Sequence, residues 1–185
     1  MFETLEGNRV ILRKAKDDDW RSMMKNVRGD PEVYQWMLFY PTNSEEEAMD
    51  RCRRSMEFQK NHYAYFIADK ETGEAIGTCA IKEMTPGCYE EAGIGLGTKY
   101  QGEGRGKEVV ALLLDLAFNK LGADSFRYGY FQDNVRSKKI AESFGFEYDC
   151  TYEMTRPWDE ALKVIDSCLL SREKYLRLYE NIRRK

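Results

Sequence analysis

The residues best suited to chemistry lie in a glycine-rich stretch between a strand-like run and an amphipathic helix. The stretch reads Gln101-Gly102-Glu103-Gly104-Arg105-Gly106-Lys107; it follows residues 92–98 and precedes the apolar run 109–118. A turn of this kind leaves backbone N–H groups unpaired at a helix N-terminus, where the helix dipole adds positive potential. The pattern predicts a binding site for a phosphate or pyrophosphate.

The spacing of the glycines in this stretch excludes two nucleotide-binding motifs that are also rich in glycine. A dinucleotide fingerprint, G-x-G-x-x-G, needs a third glycine where Lys107 stands. A Walker A loop needs Ser or Thr where this chain has Glu108, and a first glycine where it has Gln101. Two alternatives stay open at this point: another kind of phosphate site, or a turn whose glycines serve backbone geometry alone.

Three ordered motifs carry a family resemblance. Gln101-x-x-Gly104-x-Gly106 resembles the acetyl-CoA pyrophosphate loop of the GNAT acetyltransferases, [QR]-x-x-G-x-[GA]. Residues 91–96 are similar to the E-x-G-x-x-L strand of the RimJ/RimL-type branch, which acetylates the N-termini of ribosomal proteins. Residues 133–146 match the D-N-x-x-S…G-F segment of that branch. The resemblance covers nearly the whole chain and implies an N-acetyltransferase that uses acetyl-CoA.

The resemblance also implies where acetyl-CoA (coenzyme A) binds. Backbone N–H groups of the glycine-rich stretch would hold the pyrophosphate, with added charge from Arg105 and Lys107. Asn134 would hydrogen-bond the cofactor arm, although its place before a helix also predicts an N-cap. The predicted cofactor-binding residues are Leu96, Gly97, Thr98, Gln101, Gly102, Glu103, Gly104, Arg105, Gly106, Lys107, Asn134 and Ser137.

Three glycines in the preceding strand share one face. Gly93, Gly95 and Gly97 are spaced by two residues, the side-chain period of a strand. A face without side chains lets a ligand backbone approach closely, which would suit pantetheine. The alternative is a packing requirement against the following helix.

Two residues are predicted to carry the proton transfers. Acyl transfer from a thioester to an amine needs a neutral amine, a stabilised oxyanion and a proton for the leaving thiolate. Many GNAT enzymes use a tyrosine seven residues after the asparagine as the acid, but this chain has Ala141 there. In the RimJ/RimL-type branch a serine near the thiol corresponds to Ser137, the predicted acid or thiol hydrogen-bond donor. Glu91 is the predicted base, although the neighbouring Glu90 makes this assignment depend on strand register.

Acceptor binding is predicted in two segments. The aromatic residues Trp36, Phe39 and Tyr40 correspond to the family's acceptor-side helical region, and Trp158 lies in a loop opposite. The predicted reaction is direct transfer in a ternary complex to a primary amine, such as a protein N-terminal α-amine. One alternative is a small-molecule amine or antibiotic acetyltransferase. Because the tyrosine is missing, the other is a non-catalytic acyl-CoA-binding sensor.

The amino-acid composition limits the classes of protein to which this chain can belong. The 185 residues include 29 basic and 32 acidic side chains, and this balance argues against a nucleic-acid binder. Five cysteines without a C-x-x-C pair, and a single histidine, predict no metal site. The absence of a leader-like N-terminus predicts a cytoplasmic protein with reduced thiols, and no apolar run is long enough for a membrane span. A monomer or homodimer is expected.

The order of elements predicts a single N-acetyltransferase domain over residues 1–185, of α/β (α+β) class. Residues 62–98 read as an antiparallel meander with turns at 69–74 and 85–87, and β-α-β-α-β-β follows. A capping box at Ser44 predicts a helix to about Lys60, and a last helix is predicted from Glu173 to Arg184. The predicted fold is the GNAT fold, a mixed, mostly antiparallel sheet of about seven strands flanked by helices.

Overall fold

The computed structural model describes residues 4–183, and the side chains of residues 4–178. Eight strands in this range form one sheet, in the order β1-β2-β3-β4-β5-β6-β8-β7. Neighbouring strands are antiparallel except β5 and β6, which are parallel. The strands are Thr4–Glu6 (β1), Val10–Arg13 (β2), Tyr63–Asp69 (β3), Ala75–Thr85 (β4), Cys88–Leu96 (β5), Ser125–Phe131 (β6), Glu147–Thr155 (β7) and Leu162–Ser171 (β8).

Helices cover both faces of the sheet. The first, α1, is composite: a 3-10 turn Asp17–Asp19, an α-helical turn Trp20–Met23 and a π turn Met24–Arg28. The helix α4, Arg105–Asp115, also ends in a π turn, Leu116–Lys120. The others are α2 (Pro31–Tyr34), α3 (Glu45–Gln59), α5 (Val135–Ser143) and α6 (Arg172–Arg183).

The sheet separates two apolar clusters. One packs β-strand side chains such as Tyr65 and Phe126 against Val109, Leu113 and Phe118 of α4 and its π turn. The other packs Phe66 and Ala75 from the opposite face against Met23, Val27 and Met37. Alternation along β3 accounts for this division, because Tyr65 and Phe66 point to opposite faces.

The predicted α/β architecture with a mixed, mostly antiparallel sheet is confirmed, and the structure adds β1 to it. This strand has three residues, too few to show a period in sequence, and it pairs with β2 as a hairpin. Half of the predicted capping box is confirmed: the Glu47 N–H donates to Ser44 Oγ (3.2 Å), but the Glu47 carboxylate accepts from the Asn43 N–H (3.1 Å) rather than from the Ser44 N–H.

The run that begins at Asp30-Pro31 and is rich in apolar residues up to Tyr40 predicts one short helix ended by Pro41, but the helix α2 ends at Tyr34. The carbonyls of Gln35 and Met37 accept hydrogen bonds from the Arg156 guanidinium and from the Trp158 indole N–H (3.1 Å) instead of from a further helical turn. A loop distant in sequence therefore determines the conformation of residues 35–40. The predicted end of the last helix, Arg184, and the N-terminal residues 1–3 lie outside the described residues.

None of the helices within residues 4–183 is long and apolar enough to cross a membrane. All five cysteines lie in the described part of the chain as free thiols, and Cys52, Cys79 and Cys168 are buried.

Candidate active site

The site is an opening between the two parallel strands at the centre of the sheet. Within the described chain, β5 and β6 pair only over Cys88–Glu90 and Ser125–Arg127, and they then separate. The separation creates a cleft of about 760 Å³. Its lining includes Phe66 from one face of the sheet and Tyr128 from the other, so the cleft passes between the strands.

A β-bulge in β5 causes the separation. Between the pairs Cys79–Ile94 and Ile81–Glu91, β5 contains one residue more than β4. The extra residue is accommodated at Gly93, whose φ of +111° is in a region that side chains disfavour. A bulge bends its strand and increases the local twist, so β5 diverges from β6 at this point.

Glu91 lies at the bulge and lines the cleft. Its Oε1 accepts a hydrogen bond from the Gly93 N–H. The side chain is half-buried, so protein atoms replace part of its hydration water. Burial raises the pKa of Glu91 to about 7, with a further increase from Glu90 and opposing effects of the Gly93 N–H and Lys82. A carboxylate with this pKa is suited to accept a proton near neutral pH.

Glu90, the alternative base, has a different environment. Its carboxylate lies 3.5 Å from the ammonium group of Lys82 on the paired strand β4. The register of β5 therefore distinguishes the two carboxylates: Glu90 is in an ion pair, and Glu91 has no cation partner within the described residues.

A pair of hydroxyl groups faces the same cleft. Ser137, in the first turn of α5, lies with its Oγ 2.8 Å from the Oη of Tyr128 on β6. Burial, followed by the charge of Glu91, raises the pKa of Tyr128 far above its usual value, while the bond to Ser137 opposes this shift. Tyr128 is therefore protonated at neutral pH and is a weak acid, and either hydroxyl can donate the hydrogen bond that joins it to Ser137.

Sequence reasoning missed Tyr128. It searched for an acid tyrosine on the helix after the asparagine, where Ala141 is buried in the core. Tyr128 is on the preceding strand instead, and the sequence signal for it was limited to a tyrosine in the alternating run 125–131.

Asn134 performs the capping role that its position predicts. Its Oδ1 accepts a hydrogen bond from the Ser137 N–H (3.1 Å) at the start of α5. Asn134 also lines the cleft, and its amide NH₂ group has no acceptor among the residues whose side chains the structure describes, 4–178. The cap and a ligand contact therefore use different atoms of one side chain.

The glycine-rich loop presents backbone donors at the start of α4. The first hydrogen bond of the helix joins the Glu108 N–H to the Gly104 carbonyl (3.0 Å), so the N–H groups of residues 105–107 have no acceptor within the helix. Gly104 is the N-cap in left-handed conformation, with φ of +85°. A Cβ built on Gly102 or Gly104 meets nothing within 4 Å, so open space surrounds the loop. Exposed donors and free space are what an anionic ligand needs.

Two polar side chains of this loop are engaged by the protein. The Gln101 amide NH₂ donates to the Leu96 carbonyl (2.7 Å), and its oxygen accepts from Arg136 on α5. The Arg105 guanidinium lies 3.3 Å from Asp69 and also contacts Glu103. The Gln101 side chain therefore connects the loop to both β5 and α5. The carboxylates of Asp69 and Glu103 compensate much of the positive charge of Arg105. Lys107 is exposed and has no ion-pair partner in the described chain.

The end of β5 directs backbone groups into the opening. The Gly97 N–H donates to the Ile76 carbonyl on β4 (2.8 Å). Because N–H groups alternate along a strand, those of Leu96 and Ile94 face the side from which β6 has diverged. Thr98 begins a 3-10 turn that leads to the glycine-rich loop.

The glycine face of β5 packs against protein. A Cβ on Gly95 would lie 3.2 Å from the Met37 sulfur, and one on Gly97 would lie 2.8 Å from the Asn26 carbonyl oxygen. The absence of side chains at these two glycines lets the segment around α1 and α2 pack against the sheet. The packing alternative therefore explains the glycine spacing. The atoms that contact the glycines belong to Asn26 and Met37, which precede β5, rather than to the following helix.

Two of the four predicted acceptor residues line the cleft, and the other two do not. Trp36 and Phe39 line the cleft. Tyr40 and Trp158 are not among its described lining residues: the Tyr40 hydroxyl donates to the Pro157 carbonyl (2.9 Å), and the Trp158 ring packs edge-on against Tyr34 with centroids 5.4 Å apart. These two side chains join the loop after β7 to residues 34–40.

Comparison with known proteins is consistent with this geometry. A family model described as the acetyltransferase (GNAT) domain matches residues 9–147. The chain is also 25% identical, over 150 residues, to the uncharacterized N-acetyltransferase YoaA of Bacillus subtilis, a match that covers 80% of this chain and 84% of that protein.

Solved structures share the fold over most of their length. A structure from Vibrio cholerae, described as a candidate ribosomal-protein-serine acetyltransferase, has a TM-score of 0.76 at 20% identity, covering 91% of this chain and 97% of the other. The microcin C7 self-immunity acetyltransferase MccE, solved with acetyl-CoA and AMP, has a TM-score of 0.75 at 16% identity, covering 89% and 93%.

Proposed function

Because this chain belongs to the GNAT acetyltransferase family, whose members transfer the acetyl group of acetyl-CoA, we propose that residues 1–185 form one N-acetyltransferase domain acting on a primary amine. Transfer is direct, in a ternary complex. The observation that carries this proposal is the position of Glu91, a carboxylate with a pKa of about 7, in the same cleft as the bonded hydroxyls of Ser137 and Tyr128.

The residues present fit acetyl-CoA. The N–H groups at the start of α4 and the open space beside Gly102 and Gly104 suit its pyrophosphate. The N–H groups of Ile94 and Leu96, together with the amide of Asn134, suit its pantetheine arm and the acyl oxygen. When bound, acetyl-CoA supplies the acetyl group as an activated thioester.

Side chains of this protein carry out the proton transfers of the reaction. Glu91 accepts a proton from the acceptor ammonium or amine, directly or through water. Ser137 donates its Oγ proton to the leaving thiolate while Tyr128 passes its own proton to Ser137 across the 2.8 Å hydrogen bond, and the proton that Glu91 took from the amine then returns to Tyr128 through water. The bulge positions the base, and the first turn of α5 positions the acid.

We take a protein N-terminal α-amine, as in the RimJ/RimL-type branch, as the leading acceptor. The motifs at 91–96 and 133–146 support this branch, as does the likeness to the Vibrio cholerae structure. A small-molecule amine is the second candidate, supported by the likeness to a microcin self-immunity enzyme. We place the reaction in the cytoplasm, because five free thiols are compatible with a reducing compartment.

A thiol-release screen tests the proposal. The protein and acetyl-CoA are incubated with N-terminal peptides of ribosomal proteins, polyamines and aminoglycosides, and products are identified by mass spectrometry. Turnover is expected with at least one amine class, and separate Glu91→Gln and Ser137→Ala variants should lower it. Unchanged turnover in both variants would refute the catalytic assignment. Tight cofactor binding without turnover of any amine would instead favour a non-catalytic sensor.

A further inference from the structure

The helical face of the cleft carries one unbalanced positive charge. Four cationic side chains line the cleft in the described chain, and three have a carboxylate partner. Arg51 donates to Glu47 (Nε to Oε1, 3.0 Å), Arg54 pairs with Asp50, and Lys82 lies 3.5 Å from Glu90. The fourth, Arg28, has neither an ion-pair partner nor a hydrogen-bond acceptor for its guanidinium among the described side chains, those of residues 4–178.

The surroundings hold Arg28 in place without neutralising it. Its guanidinium lies over the Phe39 ring, with the central carbon 4.4 Å from the ring centroid. Its carbonyl accepts a hydrogen bond from the Thr42 N–H (3.0 Å). Burial and the nearby Arg51 lower the pKa of Arg28 to about 10, against the attraction of the Glu47 carboxylate that Arg51 already binds, so the side chain is still charged at neutral pH. A positioned, partly desolvated guanidinium of this kind is a strong anion ligand.

A second unpaired polar group lies beside it. The Thr42 hydroxyl is buried and has no hydrogen-bond partner in the described chain. Thr42 and Arg28 line a small void of about 10 Å³ that shares Arg51, Ser55 and Phe66 with the main cleft. Unsatisfied buried hydroxyl groups are uncommon, and this hydroxyl, which can donate or accept, leaves a second polar group beside Arg28 without a partner.

We propose that Arg28 binds an anionic group of the acceptor, so that the enzyme acetylates amines that also carry a carboxylate or a phosphate. The inference rests on the proposed function and specifies its acceptor. The amine reaches Glu91 through the opening between β5 and β6, while the anionic group remains on the helical face beside Phe39. Suitable acceptors are α-amino acids, peptides with an acidic residue after the N-terminus, and aminoalkyl phosphates.

Matched amine pairs test the proposal and identify the source of the anion. The pairs are phenylalanine with phenethylamine, an Ala-Asp peptide amide with its Ala-Asn counterpart, and phosphoethanolamine with ethanolamine. Each is assayed with the wild type, Arg28→Met, Arg28→Lys and a control, Arg53→Met. Arg53 is on the exposed side of α3 and does not line the cleft, so its replacement removes the same charge from nearby.

The wild type should prefer the anionic member of at least one pair by about tenfold or more in kcat/KM. Arg28→Met should raise KM for that member by about 10- to 100-fold, as expected for loss of a charge-assisted hydrogen bond, and leave the neutral amine unchanged. Arg28→Lys should retain part of the preference, and Arg53→Met all of it. Equal rates for both members of every pair, or an equal loss for both in Arg28→Met, would overturn the subsite.

A binding measurement separates this inference from the proposed function. Calorimetric titration of each amine into the protein with coenzyme A needs no turnover. Anionic amines that bind the wild type but not Arg28→Met, without any acetylation, would support the subsite and refute the reaction. Acetylation of neutral amines that does not depend on Arg28 would support the reaction and refute the subsite.

Discussion

Glu91 acquires its reactivity from one irregularity in the backbone. The bulge at Gly93 directs the Glu91 carboxylate into the cleft, gives it a single N–H partner and removes much of its water. A raised pKa then follows from desolvation, because burial disfavours the charged form. The same shift that suits Glu91 to proton transfer makes it a source of instability in the folded protein.

The first prediction concerns activity and pH. Because Glu91 must be ionised to act as a base, wild-type kcat/KM should fall as the pH drops below about 7. Glu91→Gln should lower kcat by about 100-fold or more and abolish this limb of the profile. Steady-state kinetics from pH 5.5 to 9 measure both. Glu90→Gln is the control and should keep the limb; a profile unchanged in Glu91→Gln would show that another group titrates.

The second prediction concerns stability. An acid whose folded pKa is raised from 4.5 to about 7 contributes stability at low pH that is lost as the pH rises through this interval. At about 1.4 kcal/mol per pKa unit, the loss amounts to roughly 3.5 kcal/mol above pH 7. Glu91→Gln removes the ionisation, so the variant should be more stable than the wild type at pH 8 and nearly equal to it at pH 4.5. Urea unfolding at the two pH values checks this. A difference in the free energy of unfolding between the variant and the wild type that does not change with pH would contradict the prediction.

The third prediction concerns the two hydroxyls. Tyr128→Phe and Ser137→Ala should each lower kcat, by about tenfold or more, with little change in KM for acetyl-CoA. Because Tyr128 acts through Ser137 across one hydrogen bond, the double variant should lose less than the product of the two single losses. A double-mutant cycle on kcat measures the coupling. Strictly multiplicative losses would mean that the two residues act independently.

At the scale of elements, the start of α4 combines a binding surface with an unusual backbone. Gly104 caps the helix in a left-handed conformation, so three N–H groups project into open space. The sequence pattern predicted this geometry, since glycine is the residue that adopts it without strain. The pattern did not predict the bracing by Gln101 or the pairing of Arg105 with Asp69, which are contacts with distant elements.

The fourth prediction tests this element. Gly104→Ala should raise KM for acetyl-CoA by about tenfold, because a Cβ disfavours the conformation that aims the donors, and should destabilise the fold by about 1 kcal/mol. Gly122→Ala is a matched control: its φ is +73°, its Cβ also meets open space, and it follows the other end of the same helical segment. It should show a similar loss of stability and an unchanged KM. Equal KM values in both variants would argue against a pyrophosphate site in this loop.

At the scale of the whole molecule, one sheet connects every functional element. The strands β3 to β6 carry the bulge, the cleft and Tyr128, and the helices pack on the two faces of the same sheet in separate apolar clusters. Because both apolar clusters share the sheet, the two faces should unfold together.

The fifth prediction follows from this continuity. Calorimetry should show a single unfolding transition for the full chain, as a single domain requires. Acetyl-CoA at about 100 times its Kd should stabilise the fold by about 2.7 kcal/mol and raise Tm by about 5–10 °C. Two transitions, with only one shifted by the ligand, would refute the single-domain proposal. Light scattering on the same sample determines whether the protein is a monomer or a homodimer.

Local patterns in the sequence determined the order of the elements and the position of the phosphate-type loop. Turn glycines, the capping residues Ser44 and Asn134, and the alternation of apolar residues act over a few positions, so sequence alone predicts them. The motifs around Gln101 and Asn134 likewise indicated the cofactor, because each motif is a short run of residues with fixed spacing that the sequence displays directly.

Tertiary structure decided what depends on contacts between distant residues. It placed Tyr128 beside Ser137, left Arg28 without a carboxylate while pairing its neighbours, and ended α2 through the loop at Arg156 and Trp158. It also showed that Gly95 and Gly97 serve packing. Electrostatic environment and close approach depend on three-dimensional distance, and a linear pattern does not contain that distance.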